Sequence, residues 1–293
     1  MKKIIVIGSG FGGLSIAARL KSKGFDVKLL EKQADLGGRA RTFIHNGYKY
    51  DAGPTVITAP YLIEELFTMN QEKLSDYVNL LPVKPWYRFL FDNGEYLDYG
   101  EKLGLTVKEI KSKYGYQNAV SYIKLLKHSK RIFNKAYTEL SDQPFETIGS
   151  MLKHLPELIR IRFDRSVYQS VDKFIGNKNL NQALSMHPLL VGGNPYSTTS
   201  IYLLIQYLEW KWGVFYSEGG TGKIVDGLER ILEKNSVDIK KNTEAKKIIY
   251  KKNRVVGVET DKEVLHCDGV VCNSDPTYTY EKLLGFKPKK VSN

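Results

Sequence analysis

A short apolar strand, Lys3 to Ile7, runs directly into Gly8-Ser9-Gly10-Phe11-Gly12-Gly13, and this junction constrains the chain more than any other stretch. Leu14 to Lys23 follows with apolar residues at helical spacing, namely Leu14, Ala17, Ala18 and Leu20. Gly24 closes that helix, and Val27 to Glu31 reads as a second strand. A strand, a glycine turn, a helix and a strand in so short a span imply two parallel strands bridged by the helix.

The glycine spacing is G-x-G-x-x-G, and Glu31 ends the second strand 18 residues after Gly13, as a dinucleotide fingerprint requires. Gly8 permits a tight turn. Gly10 lets the backbone approach a pyrophosphate, which free N–H groups and the helix dipole stabilise. Gly13 allows close packing of helix on strand. Glu31 accepts hydrogen bonds from ribose hydroxyls, its charge argues against a 2′-phosphate, and Lys32 beside it joins the expected binding residues with Ser9, Phe11 and Gly12. FAD and NAD both satisfy this much. Gly37-Gly38-Arg39, followed by Arg41, lets another backbone segment approach the dinucleotide and adds charge for its phosphates, and this continuation resembles the large FAD-binding family that includes amine oxidases, which favours FAD.

Further along, Phe43 to Ala52 alternates around Asn46-Gly47 and reads as a hairpin. From Ala59 to Tyr207 the pattern is mainly helical, broken near Pro82 to Pro85 by an aromatic strand segment with Trp86, Tyr87, Phe89 and Phe91. Gly213 to Gly222 is rich in turns, Lys223 to Asn235 reads as a helix, and strands are expected at Val237 to Ile239, Ala245 to Tyr250, Val255 to Glu259 and Val264 to Cys272. The fold class is therefore α/β, a Rossmann-like dinucleotide domain with a mixed sheet, interrupted by a mainly helical insertion. Its expected parts are residues 1–75 and 213–285 for the cofactor domain, 76–212 for the substrate and membrane insertion, and 286–293 for a basic tail. Gly219-Gly220-Thr221-Gly222-Lys223 mimics a phosphate loop, but Ser217 and Ile224 break the pattern and no nucleotide triphosphatase is implied.

Composition sets outer limits. The 293 residues include 42% hydrophobic and 26% charged, ordinary for a globular chain. No apolar run reaches the roughly 18 residues that a spanning helix needs. Glycines interrupt the apolar start too early for a signal peptide, so a cytoplasmic protein is expected. Cys267 and Cys272 lie five apart, on opposite faces of a strand, and read as structural thiols. His45, His128, His154, His187 and His266 form no pair at ligand spacing, so no metal is expected. The net charge is +12; Glu101 to Ile175 holds 14 Lys/Arg against 8 Asp/Glu, a local +6. Such a basic surface suits anionic partners. Within it, Tyr116 to Tyr137 places Ala119, Tyr122, Leu126, Phe133 and Tyr137 on one helical face and Lys124, Arg131 and Lys135 on the other, with Lys127 on the flank and Lys130 on the apolar side. That pattern fits either a helix lying in lipid headgroups or one packed on a core.

Longer stretches resemble bacterial phytoene desaturases of the lycopene-forming type, within the large family that includes amine oxidases. They are Gly37 to Ala40, Asp51 to Thr58, Leu189 to Pro195, Ser200 to Tyr202, Trp212 to Val214 and Gly219 to Gly222, and the similarity runs from Met1 to about Leu284. The resemblance implies FAD, attachment to the inner face of the cell membrane through anionic lipid, and dehydrogenation of a long acyclic polyene. It also implies that Gly8 to Gly13, Glu31 and Gly37 to Arg39 hold FAD. Gly53-Pro54-Thr55 would lie near the flavin ring, and Ala245 would stand where the family usually has a valine whose backbone contacts adenine. Trp86, Tyr87, Phe89, Phe91, Tyr202, Tyr207 and Trp210 are candidates to line an apolar tunnel.

Two departures stand out. Some relatives carry an Asp and an Arg after a Pro-Phe dipeptide, as suggested acid–base groups; here Pro144-Phe145 is followed by Ser150 and Lys153, so no catalytic side chain is named. The family also continues past this end with a Gly-rich segment over the cofactor, whereas this chain ends in a basic tail with Lys287, Lys289 and Lys290. A truncated chain with weakened FAD binding is therefore expected. The rival readings are a related flavoenzyme, such as a C30 desaturase, carotenoid isomerase or amine oxidase-like protein, and an inactive fragment. A nucleic-acid binder lacks any recognition motif.

Overall fold

The computed structural model describes residues 1–139, 156 and 159–286, so Pro144-Phe145, Ser150, Lys153 and the lysines of the basic tail lie outside the described residues. The chain divides into two compact units, Met1–Leu81 with Phe215–Asn293, and Pro82–Val214.

In the first unit, β1 (Lys3–Ile7), α1 (Phe11–Ser22) and β2 (Asp26–Leu30) form the expected βαβ. β1 and β2 pair in parallel, Ile5 opposite Lys28. Strand Gly269–Cys272 adds parallel to the other side of β1, and Asp238–Lys240 adds parallel to β2, giving four strands with β1 inside. Ile5, Val6 and Ile7 are all buried, as expected of a parallel strand covered on both faces. Val6 and Leu29 face α1 and helix Gly222–Lys234, meeting Leu14, Ala17, Ala18, Ile224, Leu228 and Ile231. Ile5, Ile7 and Leu30 face the other way, onto Ala245, Ile248 and Val258. These last three belong to a separate antiparallel sheet of Ala245–Lys251, Arg254–Thr260 and Val264–His266. The parallel and antiparallel strands of the expected mixed sheet are thus sorted into two sheets.

The stretch Val264 to Cys272 is two strands rather than the single strand its apolar run suggests. Cys267 N still donates to Val256 O (3.2 Å), but Asp268 N donates to Lys3 O (2.8 Å), so the ladder changes partner at one peptide. Both cysteines are free, Cys267 buried and Cys272 half-buried, and burial pushes both thiols up. Strands β3 (Thr42–His45) and β4 (Tyr48–Asp51) form the expected hairpin, with Asn46 and Gly47 both at positive φ in its two-residue turn.

The second unit contains helices Leu103–Tyr114, Tyr116–Phe133 and Leu204–Trp212, shorter helical pieces, and an aromatic hairpin of Tyr87–Leu90 and Tyr96–Tyr99. Helix Tyr116–Phe133 buries Ala119, Tyr122, Leu125, Leu126, Ile132 and Phe133 in this unit's core and exposes Lys124, Lys127, Lys130 and Arg131. Its apolar face is thereby used internally. Tyr99 is the hub of the aromatic core, ringed by Trp86, Tyr87, Phe89, Tyr122 and Trp210 at 5.9–6.3 Å between ring centres. Tyr207 packs on Phe133 at 5.3 Å. The candidate tunnel rings Trp86, Tyr87, Phe89 and Trp210 are therefore packed into the unit's own core around Tyr99. Beneath them Glu209 accepts a hydrogen bond from Tyr87 Oη (2.7 Å) and lies 3.1 Å from His187 Nε2, with both acidic and imidazole side chains almost fully buried. Among the described residues, no helix is long and apolar enough to cross a membrane.

Candidate functional site: a glycine cradle at the head of α1

The site is built where β1 stops. Gly8 turns the chain at φ +92°, outside the range of L side chains, and its N–H is held by Leu30 O at 2.8 Å. α1 then begins without a capping side chain and without an acidic residue in its first turn; its first bond runs from Leu14 N to Gly10 O (2.9 Å). A helix start leaves several N–H groups without intrahelical acceptors, and here no side chain takes their place. The opening of α1 is therefore suited to an anionic oxygen.

The glycines have separate jobs. A Cβ on Gly13 would lie 3.0 Å from the Gly8 carbonyl carbon and closer still to its oxygen, so helix and strand touch there through backbone alone. A Cβ on Gly10 would meet only Asn273 Nδ2, at 2.9 Å, and one on Gly12 would meet the same carboxamide, whose Cγ is 3.2 Å away. At these two positions a movable side-chain amide, not a Cβ, borders the uncapped backbone amides, so a diphosphate can approach them by engaging or displacing it.

Glu31 sits beside this loop. It is buried, accepting from Ser9 N (3.0 Å) and Ser9 Oγ (2.6 Å) at one oxygen and from Gln33 N (2.9 Å) at the other. Two carboxylate oxygens offer about four lone-pair directions, so capacity remains for ribose hydroxyls. Lys32, next along, is exposed. Gly37 bridges to Gly10 and donates its N–H to Ser9 O at 2.9 Å. A Cβ on Gly38 would come within 3.3 Å of Gly10 Cα. Arg39 is exposed at the head of this turn, while Arg41 stacks its guanidinium on Phe43, 4.4 Å from the ring centre. Gly53 packs on the Arg39 carbonyl, its imagined Cβ only 3.2 Å from that carbon and nearer to the oxygen. Pro54 and Thr55 follow at the surface. Thr243 N donates to Glu31 O (2.9 Å), which carries Ala245 into the core beside Leu30. The structure thus brings Gly8 to Gly13, Glu31, the Gly37 to Arg39 turn and Gly53 into one neighbourhood, with Ala245 on its inner side.

Two features escape local reading. Asn273 follows the strand beside β1 and lies over the glycine loop. Asp51, at the end of β4, accepts from Thr42 Oγ1 (2.9 Å) and from Thr221 N (3.2 Å), while Thr221 Oγ1 donates to Pro54 O (2.5 Å). The phosphate-loop mimic is occupied by a carboxylate of the protein itself: Asp51 sits at the N-terminus of helix Gly222–Lys234, and a Cβ on Gly220 would fall 2.6 Å from it. This lock fixes the hairpin that carries Gly53 and Pro54.

Residues 11–290 match the family model for flavin-containing amine oxidoreductases. A lycopene-forming phytoene desaturase of Pseudescherichia vulneris is 42% identical over 98% of the chain, and one of Pantoea ananas is 38% identical over 99%. The chain spans 58% and 59% of the lengths of these two relatives. In architecture it is similar to an oxidoreductase from Methanosarcina mazei, with a TM-score of 0.66 at 18% identity, over 98% of this chain and 62% of that one.

Proposed function

The chain belongs to the flavin-containing amine oxidoreductase family, and from that premise we propose that it is an FAD-dependent desaturase of a long acyclic polyene, phytoene being the C40 case. The observation that carries this reading is the identity to lycopene-forming desaturases, 42% and 38%, over nearly every residue of the chain. Removing hydride from an unactivated C–H bond needs an electron-pair acceptor that no side chain provides, and FAD supplies one when bound.

The chain's own residues have supporting tasks in this reading. The opening of α1 and Gly10 receive the diphosphate, and Glu31, already oriented by Ser9, takes the ribose hydroxyls. Arg39 adds positive charge where the Gly37 turn meets Gly10. Gly53 to Thr55 border the flavin ring, held there by Asp51 and Thr221. Ala245 offers backbone to the adenine. A hydrocarbon accepts no hydrogen bonds, so its recognition rests on apolar contact. In the second unit Leu189, Leu190, Val191 and Tyr196 are exposed, beside a groove of about 620 Å³ lined by Tyr168, Met186, Leu189 and Pro195 among others. With the amphipathic helix spent in the core, this patch is the better surface for contact with the inner leaflet, supported by the net charge of +12.

Purified protein is expected to be yellow and to release FAD on heating. Gly10→Val is expected to fold, because its Cβ would meet only the movable Asn273 amide, yet to lose the flavin. Wild-type protein that stays colourless after incubation with excess FAD would overturn the cofactor assignment. In cells that accumulate phytoene, new absorbance bands of longer conjugation are expected, and an unchanged hydrogen count in the products would point to an isomerase instead. On vesicles containing anionic lipid, flotation is expected to weaken as salt rises. Equal flotation with neutral vesicles at all salt concentrations would remove the anionic surface from the proposal.

A further inference from the structure

We propose that Asn273 is an additional ligand of the cofactor's diphosphate, contributed by a segment remote in sequence from the glycine loop. The inference rests on the FAD reading above and adds a residue to it. Strand Gly269–Cys272 pairs with β1 so that Cys272 stands opposite Ile7, and Asn273 N donates to Ile7 O at 2.8 Å. Asn273 therefore leaves the sheet level with Gly8, and its side chain crosses the loop. Asn273 Cβ is 3.8 Å from an ideal Cβ at Gly8 and 3.3 Å from one at Gly13. Its Nδ2 is 2.9 Å from one at Gly10, while at Gly12 its Oδ1 is the nearest atom, with Cγ at 3.2 Å and Nδ2 at 3.8 Å. One side chain thus borders all four glycines.

Its carboxamide has no hydrogen-bond partner among the described residues, and the residue is exposed. Being exposed, the amide is left to solvent, so an arriving anion can take it up without breaking a hydrogen bond within the protein. Asn273 holds this free donor at the mouth of a helix start that carries neither a cap nor an acidic group. An anion placed there meets main-chain N–H groups from one side and Nδ2–H from the other. The amide turns either end toward its surroundings, and an anionic oxygen selects the nitrogen. The same contact gives glycine at positions 10 and 12 a second purpose, because any side chain there would push the donor aside.

Aspartate is the decisive substitution, because it keeps the shape and reverses the electrostatics. Apo-protein is titrated with FAD, followed by flavin fluorescence, and with ADP, which carries the diphosphate without the flavin, followed by calorimetry. A hydrogen bond to a charged group corresponds to roughly tenfold or more in affinity, so Asn273→Ala is expected to weaken both ligands by about that factor. Asn273→Asp is expected to weaken them further, by an increment that shrinks with added salt. Asn273→Asp binding FAD and ADP within about twofold of wild type would refute the role of Asn273 while leaving the cofactor reading intact. Wild-type protein that binds neither ligand would remove both. Melting curves without ligand establish that each variant is folded; Asn273→Ala, which merely trims an exposed side chain, provides the second reading should aspartate perturb the loop.

Discussion

Gly13→Ala is expected to destabilise the cofactor unit by about 4 kcal/mol or more, at the extreme of what one methyl group does. The methyl would lie 3.0 Å from the Gly8 carbonyl carbon and nearer still to its oxygen, and neither partner can withdraw. Gly8 is tied to Leu30 through its N–H, and β1 is held by parallel strands on both sides. α1 cannot lift away either, because Leu14, Ala17 and Ala18 are fully buried against the sheet and against helix Gly222–Lys234. Gly12→Ala is the control. The three atoms nearest its methyl all belong to the exposed Asn273 amide, which can swing aside, and alanine gains up to about 1 kcal/mol over glycine inside a helix. Urea unfolding followed by far-ultraviolet circular dichroism compares the two. Equal midpoints would show that the tight backbone contact at Gly13 is not what holds helix to strand.

The second large effect belongs to the other unit. Glu209→Ala is expected to cost about 3–5 kcal/mol, because it strands the buried His187 and the half-buried Tyr87 at once. Tyr87 loses the acceptor 2.7 Å from its hydroxyl, and His187 loses its neighbour at 3.1 Å while its Nδ1 is already without a hydrogen-bond partner. Burial, reinforced by the Glu209 charge and hydrogen bond, pushes the Tyr87 phenol far above its usual range, so it stays a donor at every ordinary pH. Glu209→Gln keeps one acceptor oxygen in place and is expected to recover a substantial part of the loss. All 3 tryptophans, Trp86, Trp210 and Trp212, lie in this unit, so tryptophan fluorescence during unfolding reports on it directly. A Glu209→Ala midpoint equal to that of wild type would mean that the network is incidental to stability.

How much of this was legible beforehand depends on the range of the interactions. The βαβ unit is, because β1, the glycine loop, α1 and β2 are contiguous and each carries its own periodic signal. The β3–β4 hairpin is, because Asn46-Gly47 specifies its turn. The two strands within Val264 to Cys272 are not separable by eye, since their apolar run is continuous while the partner changes from Val256 to Lys3. Nor does periodicity say whether Tyr116 to Phe133 faces lipid or core, because both leave the same stripe. Asn273 and Asp51 are hidden for a third reason. Each acts on a segment far away in sequence, and neither belongs to a contiguous motif.

The position of Gly269–Cys272 beside β1 also has a consequence for biosynthesis. The strand that completes the sheet on that side of β1 is made long after β1 itself. At ~5–20 residues per second, the nascent N-terminal segment waits on the order of tens of seconds with one edge of β1 unpaired. The residues from Pro82 to Val214 emerge in the interval, and most of their partners are present before the first half's sheet can be finished. The cofactor cradle, which draws Asn273 from beside that same strand, is therefore assembled only after the whole of Pro82 to Val214 has been made.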